Sequence, residues 1–283
     1  MLPAWILEIL NILTNRTFAV PFIASQLCTI LALWSVWQLG RTVLPERLAL
    51  LGAFSVLPYR FFTNESVLYN HNNVLIAFWC LSIYLVFQAF QTNQKRYWIS
   101  AGIVLGLTFH VKYSAAFLVL SILVYMFMQE RMRQYFRTPG PYLTTLIALL
   151  IFLPHIIWLF HHNFAPLSYA SSRPALAQWH WQILAPFYFA VRQVIYWIPT
   201  LIIMIPLIGF AWQWKLRHQE QSRAEECEKF LLYCMLIPLL IHMLYTGIKG
   251  VHLLMAHPFG FSAVSGFCCV FKRKRRLRFS VGR

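Results

Sequence analysis

The chain runs to 283 residues, 59% of them hydrophobic and 11% charged, with a mean hydropathy of +0.60. A soluble domain of this length carries about a quarter charged residues. Here the apolar residues fall into runs of the kind that cross a hydrocarbon core, about 17–25 residues long. A soluble globular protein is excluded, and the net charge of +16 reads as loop charge on a membrane protein rather than as a nucleic-acid surface.

In chain order, residues 2–13 are apolar but short, and Glu8 and Asn11 interrupt them, so an interfacial helix is expected there. Spans are expected near 19–40, 48–63, 74–90, 97–111, 114–128, 141–160, 187–213 and 230–246, with a further one near 259–271. The fold class is therefore all-α, a polytopic transmembrane helical bundle. One multispanning domain over 1–271, of eight or nine spans, is followed by a basic cytoplasmic tail over 272–283.

Charge orients this bundle. Alternating the spans from an outer N-terminus puts Arg41, Arg47, Lys95, Arg96, Arg131, Arg133, Arg137, Lys215, Arg217, Arg223, Lys229 and the tail on the cytoplasmic side. Arg16, Arg60, Lys112, Arg173, Arg192 and Lys249 fall on the other. Several short loops agree, as the positive-inside rule requires. The cysteines carry no framework: five lie in apolar runs, and Cys227 has no C-x-x-C partner, so neither zinc nor disulfide is indicated.

The most informative stretch is Asn64 to Tyr113. It holds Glu65, Asn70, His71 and Asn72 before one apolar run and His110, Lys112 and Tyr113 after the next, with Lys95 and Arg96 at the turn between. Folded as a hairpin, it gathers the first two groups at one membrane face. Ionisable groups beside lipid are costly and mark function by default. Glu65 is the one acid of that cluster and the candidate base; Asn70, His71 and Asn72 suit sugar hydroxyls or a phosphate. The competing explanation is a solvated loop with helix-capping asparagines.

Lys112 is a point charge suited to phosphate, although a lysine at a span junction also snorkels for purely structural reasons. Tyr113 beside it joins the same substrate-binding set, as do Arg173 and Lys249 from other outer segments. His155 and the pair His161-His162 lack a carboxylate at ligand spacing, so no metal site is assigned. No cofactor motif stands out, and a divalent metal stays open as an accessory. The chain contains no aspartate, and of its eight glutamates only Glu8 and Glu65 fall on the outer side. General-base catalysis by a carboxylate has to use one of these or a group from elsewhere.

Leu2-Pro3-Ala4-Trp5, Tyr69-Asn70-His71-Asn72, Gly102-x-x-x-Gly106-Leu107 leading to Val111-Lys112-Tyr113-Ser114, and Pro154-His155-Ile156-Ile157-Trp158 with Asn163-Phe164 and Pro166-Leu167 succeed one another in an order that resembles one family. It is the bacterial branch of the protein mannosyltransferase and aminoarabinose transferase family, within the GT-C glycosyltransferases. The resemblance implies a GT-C-like enzyme of the inner membrane. It would move a sugar from a polyprenyl-phosphate donor to a lipid, glycan or protein acceptor on the periplasmic side, among membrane lipids and without nucleic acid. By the same resemblance Lys112 and Arg173 meet the lipid phosphate, and Asn70-His71 borders the sugar pocket. Family members carry a further span and an acidic outer loop ahead of the segment matching Met1 to Trp5. The expectation is therefore of a chain shortened at its start, which could leave it inactive, and altered after about Met255.

Two other classes compete. A transporter or flippase for lipid-linked sugars predicts ionisable groups at mid-span and an internal repeat, whereas the polar residues here collect at one face. A non-catalytic remnant predicts the same fold without transfer.

Overall fold

A computed structural model describes residues 2–59, 62–63, 66–67, 69–166, 168, 179–211 and 218–249, with helix backbone alone at 179–182, 207–211, 218–221 and 249. The described residues form helices and turns without a strand. Leu2–Leu13 (α1) leads through a turn into Val20–Arg41 (α2), which has a proline in its first turn. Glu46–Phe54 (α3) doubles back along α2, so closely that a Cβ on Gly40 would stand 3.1 Å from that of Ala49.

Of the span expected over 48–63, α3 covers the part up to Phe54. At 9 residues, α3 extends about 13 Å. Pro58 explains the stop, because it has no N–H to donate and disfavours α geometry at Leu57. Turns carry the chain onward, and Ser66 arrives beside Ser25 near the start of α2.

His71–Thr92 (α4) and Lys95–Val111 (α5) form an antiparallel hairpin. Asn93 closes α4 in the left-handed region, and its side chain accepts a 3.1 Å bond from Trp98 Nε1 at the turn. Next come Ala115–Met128 (α6) and Glu130–Arg133 (α7), followed by a 3-10 turn over Gln134–Arg137. The stretch 130–137 bends 106° away from α6. Pro139–His161 (α8), Trp179–Ala211 (α9) and His218–Lys249 (α10) complete the described bundle.

Among the described residues, five helices are long and apolar enough to cross a membrane: α2, α4, α8, Ile183–Pro206 of α9 and Ser222–Ile248 of α10. Counting α6 with its bent continuation makes six. α5, with 17 residues, is about 25 Å long and lies between α4 and α8. The expected segment at 259–271 and the tail at 272–283 lie outside the described residues.

α4 is the hub. Of its apolar window 78% is buried, against 17% for α8, whose outer face shows Leu146, Leu149, Leu150, Leu153 and Ile157. α8 is held to the bundle through α5, with which it runs parallel. Thr144 Oγ1 donates to Trp98 O at 2.8 Å. A Cβ on Gly102 would lie 2.7 Å from Thr144 O, and one on Gly106 would lie 2.9 Å from Ile151 Cβ. The Gly102-x-x-x-Gly106 pattern is thus a packing face: small residues let the backbones approach, which is how helices associate where lipid competes for apolar contacts.

Antiparallel packing of α6 on α10 brings Tyr125 to Phe230 and Phe117 to His242, each pair with ring centres 5.1 Å apart. The bundle therefore has two unlike ends. Arg41, Arg47, Lys95, Arg96, Arg131, Arg133 and Arg137 stand at one, the arginine end. Lys112, Asn70, His71, Asn72, Tyr113, His155 and α1 stand at the other, the lysine end. Arg192, counted on the outer side yet within the span expected over 187–213, lies inside α9, well within its apolar window.

Candidate functional site at the lysine end

The site is built where the α4–α5 hairpin opens. Asn70 has extended backbone, φ −149° and ψ 169°, and its side chain accepts from Asn72 N at 2.8 Å and Asn73 N at 3.3 Å. That is an N-cap, which satisfies two of the amides that every helix start leaves without partners. The structural explanation for Asn70 is therefore correct as far as it goes, and the cap also fixes how the first turn of α4 leaves the loop. His71 is exposed, Asn72 is half-buried and Asn73 is buried, each turned to a different side of that turn.

Lys112 is the residue at which α5 ends, in extended conformation with φ −161° and ψ 139°. Its Nζ donates to Asn72 Oδ1 at 3.1 Å, joining residues forty apart in sequence. Extended backbone sends successive side chains to opposite sides. Tyr113 accordingly turns the other way, and its hydroxyl stands 2.7 Å from His155 Nε2 on α8. The expected substrate-binding set thus divides: Asn70, His71, Asn72 and Lys112 meet on the α4 side, whereas Tyr113 belongs to an imidazole group on the α8 side. Burial pushes the Tyr113 hydroxyl above the usual tyrosine range.

That second group has its own logic. Pro154 interrupts the hydrogen bonding of α8. His110 Nε2 meets Ile151 O at 2.9 Å; a carbonyl only accepts, so Nε2 carries the proton there. His155 is buried and stacks on Trp158, which stacks in turn on His162 with ring centres 4.3 Å apart. α1 closes over this side, with Trp5 6.0 Å from the His110 ring and Pro3 O accepting from Tyr69 Oη at 2.7 Å. Tyr69 too is pushed above the usual range, mainly by burial and further by Cys28.

Beneath the site is a polar node that the sequence does not advertise. Asn73 Nδ2 donates to Ser25 Oγ, and Ser25 Oγ donates to Ser66 O, which also accepts from Gln26 Nε2 at 3.3 Å. Ser25, Ser66 and Asn73 are all buried. The node ties α2 and α4 to the chain segment that precedes the site. Ser25 sits in an apolar run with no motif around it, so only folding reveals its role.

The remaining expected residues are not brought into this geometry. Glu65 and Arg173 lie outside the described residues, and Lys249 ends α10 as backbone only. Among the described residues no three His, Cys, Asp or Glu side chains gather as metal ligands. The Arg131 end differs in kind: Glu226 pairs with Arg131 and accepts from Gln91 Nε2 at 2.9 Å, which fastens α10 to α4 and the elbow.

Residues 1–158 match the family described as dolichyl-phosphate-mannose-protein mannosyltransferase. That stretch contains Asn70, His71, Asn72, Lys112, Tyr113 and His155. No curated protein and no solved structure matches the chain. With more than half of its length matched and an all-helical bundle carrying several membrane-length helices, the chain belongs to this family of GT-C-type membrane glycosyltransferases.

Proposed function

We propose that this chain transfers a sugar from a polyprenyl-phosphate donor to a lipid, glycan or protein acceptor, and that the lysine end, facing the periplasm across a bacterial inner membrane, is where it does so. The observation that carries the proposal is the 3.1 Å contact between Lys112 and Asn72, which holds a cation beside Asn70 and His71 at the end opposite the arginine-rich turns. The charge distribution supports the sidedness, since the arginine end has the Lys/Arg excess of a cytoplasmic face.

In this reaction the acceptor hydroxyl oxygen bonds to the anomeric carbon while the bond from that carbon to the phosphate oxygen breaks. The hydroxyl proton passes to a carboxylate, for which Glu65 is the proposed base, and polyprenyl phosphate leaves with the electron pair. Lys112 neutralises the charge that develops on the departing phosphate. A preorganised donor of this kind contributes about 10²–10³ in rate. Asn72 holds the ammonium in place, and His71 and Asn70 border the sugar. Arg173 and Lys249 are proposed as further phosphate contacts from the same side. The apolar windows of α2, α4, α8, α9 and α10 anchor this end in the bilayer.

The test is transfer from radiolabelled polyprenyl-phosphate mannose in membranes containing the full chain. Lys112→Ala is expected to lower transfer about 10²-fold, in line with loss of one preorganised donor. Unchanged transfer by Lys112→Ala would remove the phosphate role. Absence of transfer by the unaltered chain, with mannose and with other polyprenyl-linked sugars, would remove the enzymatic one.

A further inference from the structure

His155 is a buried imidazole at the lysine end to which the transfer reaction assigns no task. It is 9% exposed and follows Pro154 in α8. Neighbouring rings fix its plane. Trp158 stacks on it with centres 5.5 Å apart and planes 15° from parallel, Phe152 lies 5.1 Å away, and His110 of α5 lies 5.7 Å away. Its Nε2 stands 2.7 Å from the Tyr113 hydroxyl, whereas its Nδ1 is buried without a hydrogen-bond partner.

The orphaned Nδ1 decides which way the bond to Tyr113 runs. A neutral imidazole carries one proton, on Nδ1 or on Nε2. Placed on Nδ1, it makes a buried N–H with no acceptor, the rarer kind of unsatisfied group. Placed on Nε2, it is donated to Tyr113 Oη, and Nδ1 keeps only an unused lone pair. The second arrangement costs less, and it turns the Tyr113 proton away from His155. No other hydrogen bond of that hydroxyl is seen among the described residues, and Tyr113 is half-buried rather than enclosed. Burial holds the hydroxyl above the usual tyrosine range, so it keeps its proton to donate.

A brace between α8 and the end of α5 explains the contact less well. α8 is already held to α5 by the seam at Gly102 and Gly106, by Thr144 and by His110. Replacing both members of a buried polar pair by apolar groups is nearly neutral or stabilising, so packing alone does not call for an imidazole with an idle nitrogen.

A polyprenyl-phosphate sugar brings both an anion and a set of neutral oxygens. Lys112, steadied by the Asn72 amide, suits the anion. Tyr113 is the next residue and turns to the other side, among the rings of His155, His110, Phe152 and Trp158. Ring-rich surroundings with a few placed polar groups are what small-molecule sites use to fix orientation. We propose that Tyr113 donates a hydrogen bond to an oxygen of the donor's sugar, and that His155 is the positioning residue that aims its hydroxyl. The inference rests on the function proposed above for its ligand, and adds a contact from the α8 side to those of Asn70 and His71.

The experiment uses the full chain in amine-oxide micelles, which contain neither sugar nor phosphate. Polyprenyl phosphate and polyprenyl-phosphate mannose are titrated by native mass spectrometry, and the ratio of their affinities isolates the sugar. The unaltered chain is expected to bind the mannosylated lipid more tightly. Tyr113→Phe keeps the ring and is expected to shrink that preference about two- to tenfold, the worth of one neutral hydrogen bond. Its affinity for polyprenyl phosphate is expected to stay unchanged. His155→Leu is expected to match it, and the double variant to lose no more than either alone. His155→Gln, which puts an N–H donor at similar reach, is expected to restore the preference, whereas a packing role favours leucine. An undiminished preference in Tyr113→Phe overturns the proposal, as does an equal loss of affinity for both lipids. Full additivity of the two variants overturns the part given to His155. Binding needs no turnover, so the reaction is judged separately. A Tyr113-dependent preference without transfer removes the proposed function and leaves this contact standing. Transfer of mannose without any such preference removes the contact and leaves the function.

Discussion

The two ends of the bundle use cations differently. At the arginine end, Arg131 is paired with the Glu226 carboxylate, Gln91 completes that carboxylate's contacts, and the buried Tyr135 ring anchors the elbow against Phe90 and Trp98. Charge there serves to join α4, α6 and α10 into one body. At the lysine end, Lys112 is steadied by a neutral amide, and the contacts around it run through asparagines, a tyrosine hydroxyl and imidazoles. The two ends thus differ in the partners seen among the described residues: a carboxylate meets Arg131, and an asparagine amide meets Lys112.

The sharpest way to break this comparison is to remove a cation from each end. Lys112→Ala is expected to reduce sugar transfer about 10²-fold with little change in melting temperature. Arg131→Ala is expected to leave transfer per folded molecule intact while lowering stability by up to about 1 kcal/mol, because Arg131 is itself exposed. Equal losses of transfer from both variants would show that the ends are not specialised.

Gly106→Leu and Gly102→Leu test whether the α5–α8 seam holds the Tyr113–His155 side of the lysine end together. Each drives a side chain into α8 where even a Cβ meets backbone or Ile151 within 3 Å. Overpacking of this kind costs about 1–3 kcal/mol, to be read as a lower midpoint in thermal unfolding. An unchanged midpoint would mean the helices separate freely, and the closeness of the seam would have no energetic meaning.

A smaller effect is expected of Asn70→Ala, which deletes the cap of α4 and should cost about 1 kcal/mol. Because the cap orients Asn72 toward Lys112, the Michaelis constant for the donor is expected to rise as well. A loss of stability without that rise would confine Asn70 to its structural role.

The smallest effect concerns pH. Tyr69 is held protonated in the folded chain above its unfolded value, so the folded state retains a proton that the unfolded state gives up. Stability from this source is complete below about pH 10, the ordinary tyrosine value, and is lost as pH climbs through the raised folded value. Tyr69→Phe should flatten that alkaline decline. An identical alkaline slope in the variant would argue against the Tyr69–Pro3 contact that fastens α1.

Much of this could be seen before folding. Apolar run length and basic turns yield an all-helical membrane bundle with two unlike ends, because each signal is local: a span needs its own apolar residues, and a turn carries its own charge. The hairpin from Asn70 to Lys112 comes from the same signals, since two runs joined by Asn93-Gln94 can only return to the same end. Local signals do not report which side of a helix end a side chain leaves from. The parting of Lys112 from Tyr113 depends on one extended residue, and the node of Ser25, Ser66 and Asn73 depends on α2 and α4 running in parallel. Gly102 and Gly106 read equally well as a family signature or as neutral small residues until α8 is laid against them. Arg192 already falls within the apolar run at 187–213, but only the folded chain gives it Tyr188 and Tyr196 as partners. Composition and spacing decide what must be buried and what must face water; the pairing of distant helices decides which polar groups meet.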